Sequence, residues 1–295
     1  MARLSLDELN SVAESAFIGA FADVVEHAPW VAQLVVGKRP FSTMAALNDA
    51  MSAAVLNLPS DKKLDLIRAH PDLAGKAARA GALTAHSTAE QSSAALDRLS
   101  DQEFETFHRF NEAYLGRFGF PFVICVRRHT KGSILSQFER RLRNPQPDEM
   151  DTAIAEICRI AALRLDERVD AADQLKVHGQ LSTHVLDMQA GHPASGVAVS
   201  LVEMAGTAEA RTIAQAITNQ DGRTDRPLMA GRPVPIGSYE LRFAIGAYFA
   251  GSGTALADPP FLNVVPVRFA VAEPEGRYHV PLLITPWSYS TYRGS

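Results

Sequence analysis

The sequence is poor in the features that would tie it to metals, membranes or nucleic acid. Its 295 residues include two cysteines, Cys125 and Cys158, which stand in apolar surroundings without metal-ligand spacing. A disulfide framework is therefore not expected; a reducing compartment and two buried thiols are. Basic residues are not in excess, at 29 Lys and Arg against 33 Asp and Glu, for a net charge of −4. Nothing here draws the chain to phosphates, so nucleic acid is not expected as a partner. No apolar run approaches the ~18 residues of a membrane span. The first ten residues, Met1 to Asn10, hold no run that would act as a signal peptide, and Arg293-Gly294-Ser295 is not a peroxisomal signal. A cytoplasmic chain without membrane association is the expectation. Internal repeats and low-complexity segments are also missing.

What is present is ordinary globular material, 46% hydrophobic and 21% charged, in a length that favours about two domains. The first part reads as helix. Ser5 and Glu8, then Ser100 and Glu103, have capping-box spacing, in which the hydroxyl serves the amide three residues on and the carboxylate reaches back. After Pro147, suited to a first helical turn, Ile154, Ile157, Cys158, Ala161 and Leu165 recur at three- and four-residue steps, one apolar helix face. Beyond about residue 172 the period changes. Val197, Val199 and Leu201 alternate, Tyr239–Ala247 and Phe261–Val271 are rich in β-branched and aromatic residues, and Gly and Pro punctuate the stretches between. Residues 207–217 fit either a short helix or a strand. The fold class expected is an all-α helical bundle over residues 1–170, a linker at 171–176, and an all-β sandwich over 177–295.

Chemistry-bearing residues gather at few places. Arg68-Ala69-His70-Pro71-Asp72-Leu73 sets a histidine against a proline, which disfavours helix in the residue before it, so His70 should stand at a break. An imidazole there suits proton transfer near neutral pH, and equally suits a solvated helix end. Ser87, Glu90 and Gln91 put hydroxyl, carboxylate and amide within one turn, although an N-cap at Ser87 with Glu90 three residues on explains two of them. In the second part His184 and His279 fall in strand-like stretches, and Arg223 follows the turn Thr218–Gly222. Two such histidines and an arginine could activate water and hold an oxyanion, form part of a metal site, or be unrelated surface residues. The closing stretch from Pro286 to Ser295 is aromatic and hydroxyl-rich, either a last sandwich strand or a functional tail.

Four pieces in order, His70-Pro71-Asp72-Leu73-Ala74-Gly75, Ser87-x-x-Glu90-Gln91, Phe118 to Ile124, and Leu163-Arg164-Leu165, give residues 1–168 a resemblance to 2-oxo-4-hydroxy-4-carboxy-5-ureidoimidazoline (OHCU) decarboxylase, an all-helical family. That resemblance implies His70 as catalytic acid–base group. Glu90 and Gln91 would grip the ureido and ring amides, with Ser87 nearby, and the backbone from Gly119 to Ile124 would face the ligand. Arg164 is the candidate for the substrate carboxylate, with Arg159 on the same helix as the other choice.

Leu181 to Asp187 with Gly191-x-Pro193-Ala194-x-Gly196-Val197, Asp221-Gly222-Arg223, Tyr278 to Leu283, and the tail Tyr292-Arg293-Gly294-Ser295 make residues 177–295 similar to 5-hydroxyisourate hydrolase, the enzymatic branch of the transthyretin family. That resemblance implies a transthyretin-like sandwich assembled as a homotetramer, with His184, Arg223, His279 and Ser295 catalytic and Tyr292 closing the pocket. The two families act on consecutive small-molecule intermediates of urate breakdown, ending in (S)-allantoin, without cofactor or metal. Two rivals remain at this point. One is a transthyretin-like ligand-binding module with a helical regulatory domain. The other is a metallohydrolase using both strand histidines, for which no third ligand is evident.

Overall fold

Both expected capping boxes form. Ser5 Oγ accepts from the Glu8 amide at 3.2 Å while Glu8 accepts from the Ser5 amide at 2.7 Å, and Ser100 with Glu103 repeats the exchange at 3.2 and 2.8 Å. The computed structural model describes residues 3–75, 84–204 and 210–294. Proximity divides the chain into two units, residues 1–127 with 134–177, and 128–133 with 178–295.

The first unit is helical. Its helices are α1 (Leu6–Ser11), α2 (Glu14–Phe21), α3 (Trp30–Val36), α4 (Met44–Leu56), α5 (Ser60–Arg68), α6 (Ala85–Ser93), α7 (Asp101–Phe118), α8 (Lys131–Arg141, of this unit from residue 134 on) and α9 (Gln146–Arg168). On α9, Pro147 sits in the first turn and Ile154, Ile157, Ala161 and Leu165 are buried, the face their spacing predicts. They join Phe17, Met44, Phe107 and Phe138 in one apolar core. Inside it, Arg141 and Glu149 form an ion pair at 2.6 Å, and Tyr114 donates to the same carboxylate. Such a buried pair persists because each partner satisfies the other. The only strand content described in this unit is the two-residue parallel pair β1 (Leu4–Ser5) and β2 (Val169–Asp170), so the region is helical without being purely so. Residues following it are tied to helices, Leu175 through its amide to Asp166 at 3.0 Å and Asp173 through its carboxylate to the Met44 amide at 3.0 Å.

The second unit is built from β3 (Gly179–Asp187), β4 (His192–Pro193), β5 (Ala198–Met204), β6 (Arg211–Ile217), β7 (Met229–Arg232), β8 (Gly237–Phe243), β9 (Val265–Val271), β10 (Arg277–Ile284) and β11 (Tyr289–Thr291). One sheet runs β11-β10-β3-β4, with β7 also on β3, and the other β6-β5-β8-β9. Leu181, Val185 and Leu282 of the first meet Val199, Leu241 and Phe243 of the second in a separate core, a sandwich interior made by alternate residues of each strand. Within 207–217, Arg211–Ile217 is strand. The stretch 239–247, expected to be strand throughout, is not: β8 stops at Phe243, and helix α10 (Ile245–Gly251) follows. After Ile245 that helix, Gly-Ala-Tyr-Phe-Ala-Gly, has no β-branched residue to favour continued strand.

Candidate active sites

In the helical unit a cleft is lined by Glu26, His70, Ser87, Glu90, Gln91, Phe122, Ile124 and their neighbours. Its walls come from separate elements. Helix α5 ends at Arg68, and His70 follows at the break that Pro71 imposes, with its Nδ1 2.9 Å from the Leu66 carbonyl. A carbonyl can only accept, so Nδ1 carries the proton and Nε2 keeps its lone pair. Burial holds the His70 pKa below the ordinary imidazole value; Arg164 works in the same direction, and Glu26 opposes it. The ring is therefore neutral at pH 7 and able to take a proton.

Helix α6 contributes Ser87, Glu90 and Gln91, which share one face at i, i+3 and i+4. Its N-cap is Thr84, not Ser87: Thr84 Oγ1 accepts from the Ser87 amide at 3.2 Å. Being one turn inside the helix frees the Ser87 hydroxyl to point at both oxygens of Glu26, at 2.7 and 2.8 Å. Gln91 accepts from the Ala74 amide at 3.0 Å, so its NH₂ is the part able to serve a ligand. Arg164 of α9 forks onto Glu90 with two bonds of 2.8 Å and reaches Glu26 at 3.3 Å. The buried carboxylate of Glu26 and the partly buried one of Glu90 are thus matched with one guanidinium and two hydroxyls. Burial opposes ionisation of Glu26, but the Ser87 and Thr84 hydroxyls and Arg164 outweigh it and keep the carboxyl below its usual pKa.

Two expectations change. Gly119 does not line the cleft; it ends α7 at φ +73°, and its amide is spent on the Leu115 carbonyl at 2.8 Å, the usual work of a C-terminal glycine. Arg159 is half-exposed and pairs with Glu156, so of the two candidate arginines, Arg159 and Arg164, only Arg164 is joined to cleft residues. Sequence reasoning overlooked Glu26. Its only signal was a charged residue among the apolar Val24, Val25 and Ala28.

In the sandwich unit β3 and β10 run parallel, with Ser182 opposite His279 and His184 opposite Pro281. Alternation buries Leu181, Thr183 and Val185 and turns Ser182 and His184 to the other face. There His184 Nδ1 lies 2.6 Å from His279 Nε2, with ring centroids 4.8 Å apart and planes at 17°. Arg223 is bridged to His184 through its backbone. The turn that delivers it needs glycine, because Gly222 has φ +68° and a Cβ there would stand 2.3 Å from the Val185 carbonyl. Asn219 Oδ1 accepts from the amides of Asp221 and Arg223, both at 3.1 Å, and closes that turn. Burial lowers the pKa of both histidines, and Arg223 lowers both further; His184 is lowered also by His279. Among the tail residues, the Gly294 amide donates to the His279 carbonyl at 2.9 Å, Arg293 covers the Tyr278 ring, and Tyr292 is exposed. Ser295 lies outside the described residues. Among those described, no group of three or more His, Cys, Asp or Glu could hold a metal, and no helix is long and apolar enough to cross a membrane.

Comparison with known proteins agrees with this division. The OHCU decarboxylase family profile matches residues 10–166, and the HIUase/transthyretin family profile matches residues 181–294. A 2-oxo-4-hydroxy-4-carboxy-5-ureidoimidazoline decarboxylase of Haloferax volcanii is 43% identical over 168 residues, 57% of this chain and 98% of the relative. A 5-hydroxyisourate hydrolase of Deinococcus radiodurans is 54% identical over 119 residues, 40% of this chain and 98% of the relative. The crystal structure of an (S)-allantoin synthase is 33% identical and covers 99% of this chain and 100% of its own, with a TM-score of 0.52. The chain therefore belongs to the OHCU decarboxylase family in its helical region and to the HIUase/transthyretin family in its sheet region.

Proposed function

We infer that this chain is a bifunctional enzyme of urate degradation. The sheet region hydrolyses 5-hydroxyisourate to OHCU, and the helical region decarboxylates OHCU to (S)-allantoin and carbon dioxide. The observation that carries this reading is the presence, in one chain, of a histidine pair in contact, one of them bridged to Arg223, and a separate cleft lined by His70.

For hydrolysis, His184 and His279 orient water and take its proton, and the oxygen attacks a ring amide carbon. Arg223 offsets the negative charge that develops on the carbonyl oxygen. The amide C–N bond opens and the nitrogen takes a proton, which accounts for the new carboxyl and ureido groups in the product's name. Tyr292 and Ser295 close the pocket, a role favoured by the bond between Gly294 and the His279 backbone. The active unit is a homotetramer with its sites in the channel between dimers, in the cytoplasm.

For decarboxylation, the electron pair of the breaking C–C bond passes into the conjugated imidazolone, and His70 manages the proton at the new stereocentre. Glu90 and Gln91 grip the ureido and ring amides with Ser87 beside them. The backbone near Ile124 lines the cleft. The substrate carboxylate competes with Glu90 for the Arg164 fork, a bidentate site for a planar anion. Joining both activities on one chain raises the local concentration of an unstable intermediate for the second step.

A time course on enzymatically oxidised urate, followed by NMR and circular dichroism, tests the reading. Both intermediates should disappear faster than in buffer and leave allantoin of one hand. Decay of either at its uncatalysed rate would remove the corresponding activity. Binding without turnover would favour a carrier, and hydrolysis lost on exhaustive chelation a metallohydrolase.

A further inference from the structure

We propose that Ser182 is a positioning residue for hydrolysis: its hydroxyl receives the Nδ1 proton of His279 and thereby fixes that ring as an acceptor towards His184. The inference rests on the hydrolase reading above and adds to it a residue that directs the proton.

The placement follows from strand register. Ser182 and His184 are two residues apart on β3 and share a face, while His279 lies directly across from Ser182 on the parallel neighbour β10. Their side chains form an unbroken line, Ser182 Oγ to His279 Nδ1 at 2.9 Å and His279 Nε2 to His184 Nδ1 at 2.6 Å. A neutral histidine pair holds one proton between its facing nitrogens, so two arrangements are open. In one, His279 carries its proton on Nδ1, its Nε2 accepts from His184 Nδ1–H, and His184 Nε2 is left with a lone pair. In the other every proton is shifted, Ser182 donates to His279, and His184 Nε2 already bears hydrogen and cannot act as a base. In this proposal Ser182 holds the first: its Oγ receives Nδ1–H at 2.9 Å, and its own hydrogen turns towards the Tyr278 carbonyl, a long contact at 3.5 Å.

The proton path then balances. Water gives a proton to His184 Nε2 as its oxygen bonds to the amide carbon. The resulting charge is shared through His184 Nδ1–H with His279 Nε2, and the same proton later goes to the departing nitrogen. Ser182 remains neutral throughout. It does for His279 what an orienting carboxylate does for the histidine of a hydrolytic triad, but without adding a negative charge next to Arg223.

The test uses the full-length chain with ¹⁵N-labelled histidines, where long-range ¹H–¹⁵N spectra report the tautomer of His279 in the resting protein. A His279→Gln spectrum supplies the assignment. The wild type should show Nδ1–H, and Ser182→Ala should move His279 towards Nε2–H. Turnover of hydroxyisourate by Ser182→Ala should fall about 10- to 100-fold with KM within about twofold, a loss smaller than the ~10⁴-fold seen when a charged orienting group is neutralised. Ser182→Thr, which restores a hydroxyl, should recover both tautomer and turnover. OHCU decarboxylation by the same variants should be unchanged. An Nε2–H tautomer in an active wild type, or full turnover in Ser182→Ala, overturns the role of Ser182 alone. A wild type that fails to hydrolyse hydroxyisourate overturns the hydrolase reading, whatever the tautomer.

Discussion

The two candidate sites keep an imidazole neutral by different means. His70 is 9% exposed, and its low pKa comes mainly from burial, with the opposing effects of Glu26 and Arg164 arranged around it. His184 and His279 are half-buried on a sheet face, where burial is again the largest cause but like-signed neighbours add to it. A site inside a core must balance its charges internally, since water cannot. A site on a sheet face can leave Arg223 exposed, because solvent shares the cost. The cleft is therefore bound to the stability of its unit, and the sheet site much less so.

The comparison is tested most severely by removing one base at a time. His70→Asn should cost about 10²–10⁴-fold in decarboxylation, with hydrolysis by the same chain unchanged, so OHCU should accumulate before its slow spontaneous decay. His184→Ala should do the reverse to hydrolysis. Loss of both activities from either change would break the separation of the sites. Mixing these two full-length variants also measures what joining contributes: a longer lag in allantoin formation than for the wild type at equal concentration is expected, and an equal lag would argue against any transfer advantage.

Arginine removal comes next. Arg164→Met leaves Glu90 and Glu26 without their cation and should destabilise the helical unit by about 3–5 kcal/mol, read as a lower urea midpoint. Arg223→Met, at an exposed position, should change stability by less than about 0.5 kcal/mol while hydrolysis falls. Equal destabilisation by both would sink the distinction drawn above. An effect on stability between these two is expected of Gly222→Ala, where left-handed backbone strains a non-glycine residue by about 1–2 kcal/mol. The close approach to Val185 should also shift Arg223, so hydrolysis should drop and decarboxylation should not.

The smallest effects concern pH and salt. All three histidines have folded-state values below their ordinary 6.5. As pH falls through 6.5 the unfolded chain takes up protons first, so these groups withdraw stability between that value and their lower folded ones. With these rings as the proposed bases, both activities should persist below pH 6.5 before declining. Raising the salt should screen Arg223 and move the acid limb of hydrolysis upward, leaving that of decarboxylation nearly unmoved. Equal salt sensitivity would contradict the assignment of causes.

Much of each site was legible in the sequence, but unevenly. The break at His70-Pro71, the shared face of Ser87, Glu90 and Gln91, and the turn delivering Arg223 all follow from local backbone rules and are present. Ser87 misled because Thr84, three residues earlier, is an equally good cap and took the place. Gly119 misled because a glycine after a long helix serves its C-terminus as readily as a ligand. Glu26 gave no local pattern at all, since its partners Ser87 and Arg164 are 61 and 138 residues away.

By itself, then, the sequence determined the two regions, most of their helices and strands, and which side chains share a face, because hydrogen bonding within a few residues imposes periods of 3.6 and 2. Only the tertiary structure decided that β3 and β10 pair in parallel with Ser182 opposite His279, and that α6, α9 and the Glu26 segment meet around one cleft. Those contacts join residues 61 to 138 positions apart, and no local period reaches so far. Strand register and core packing set them, and they turn separate polar side chains into sites.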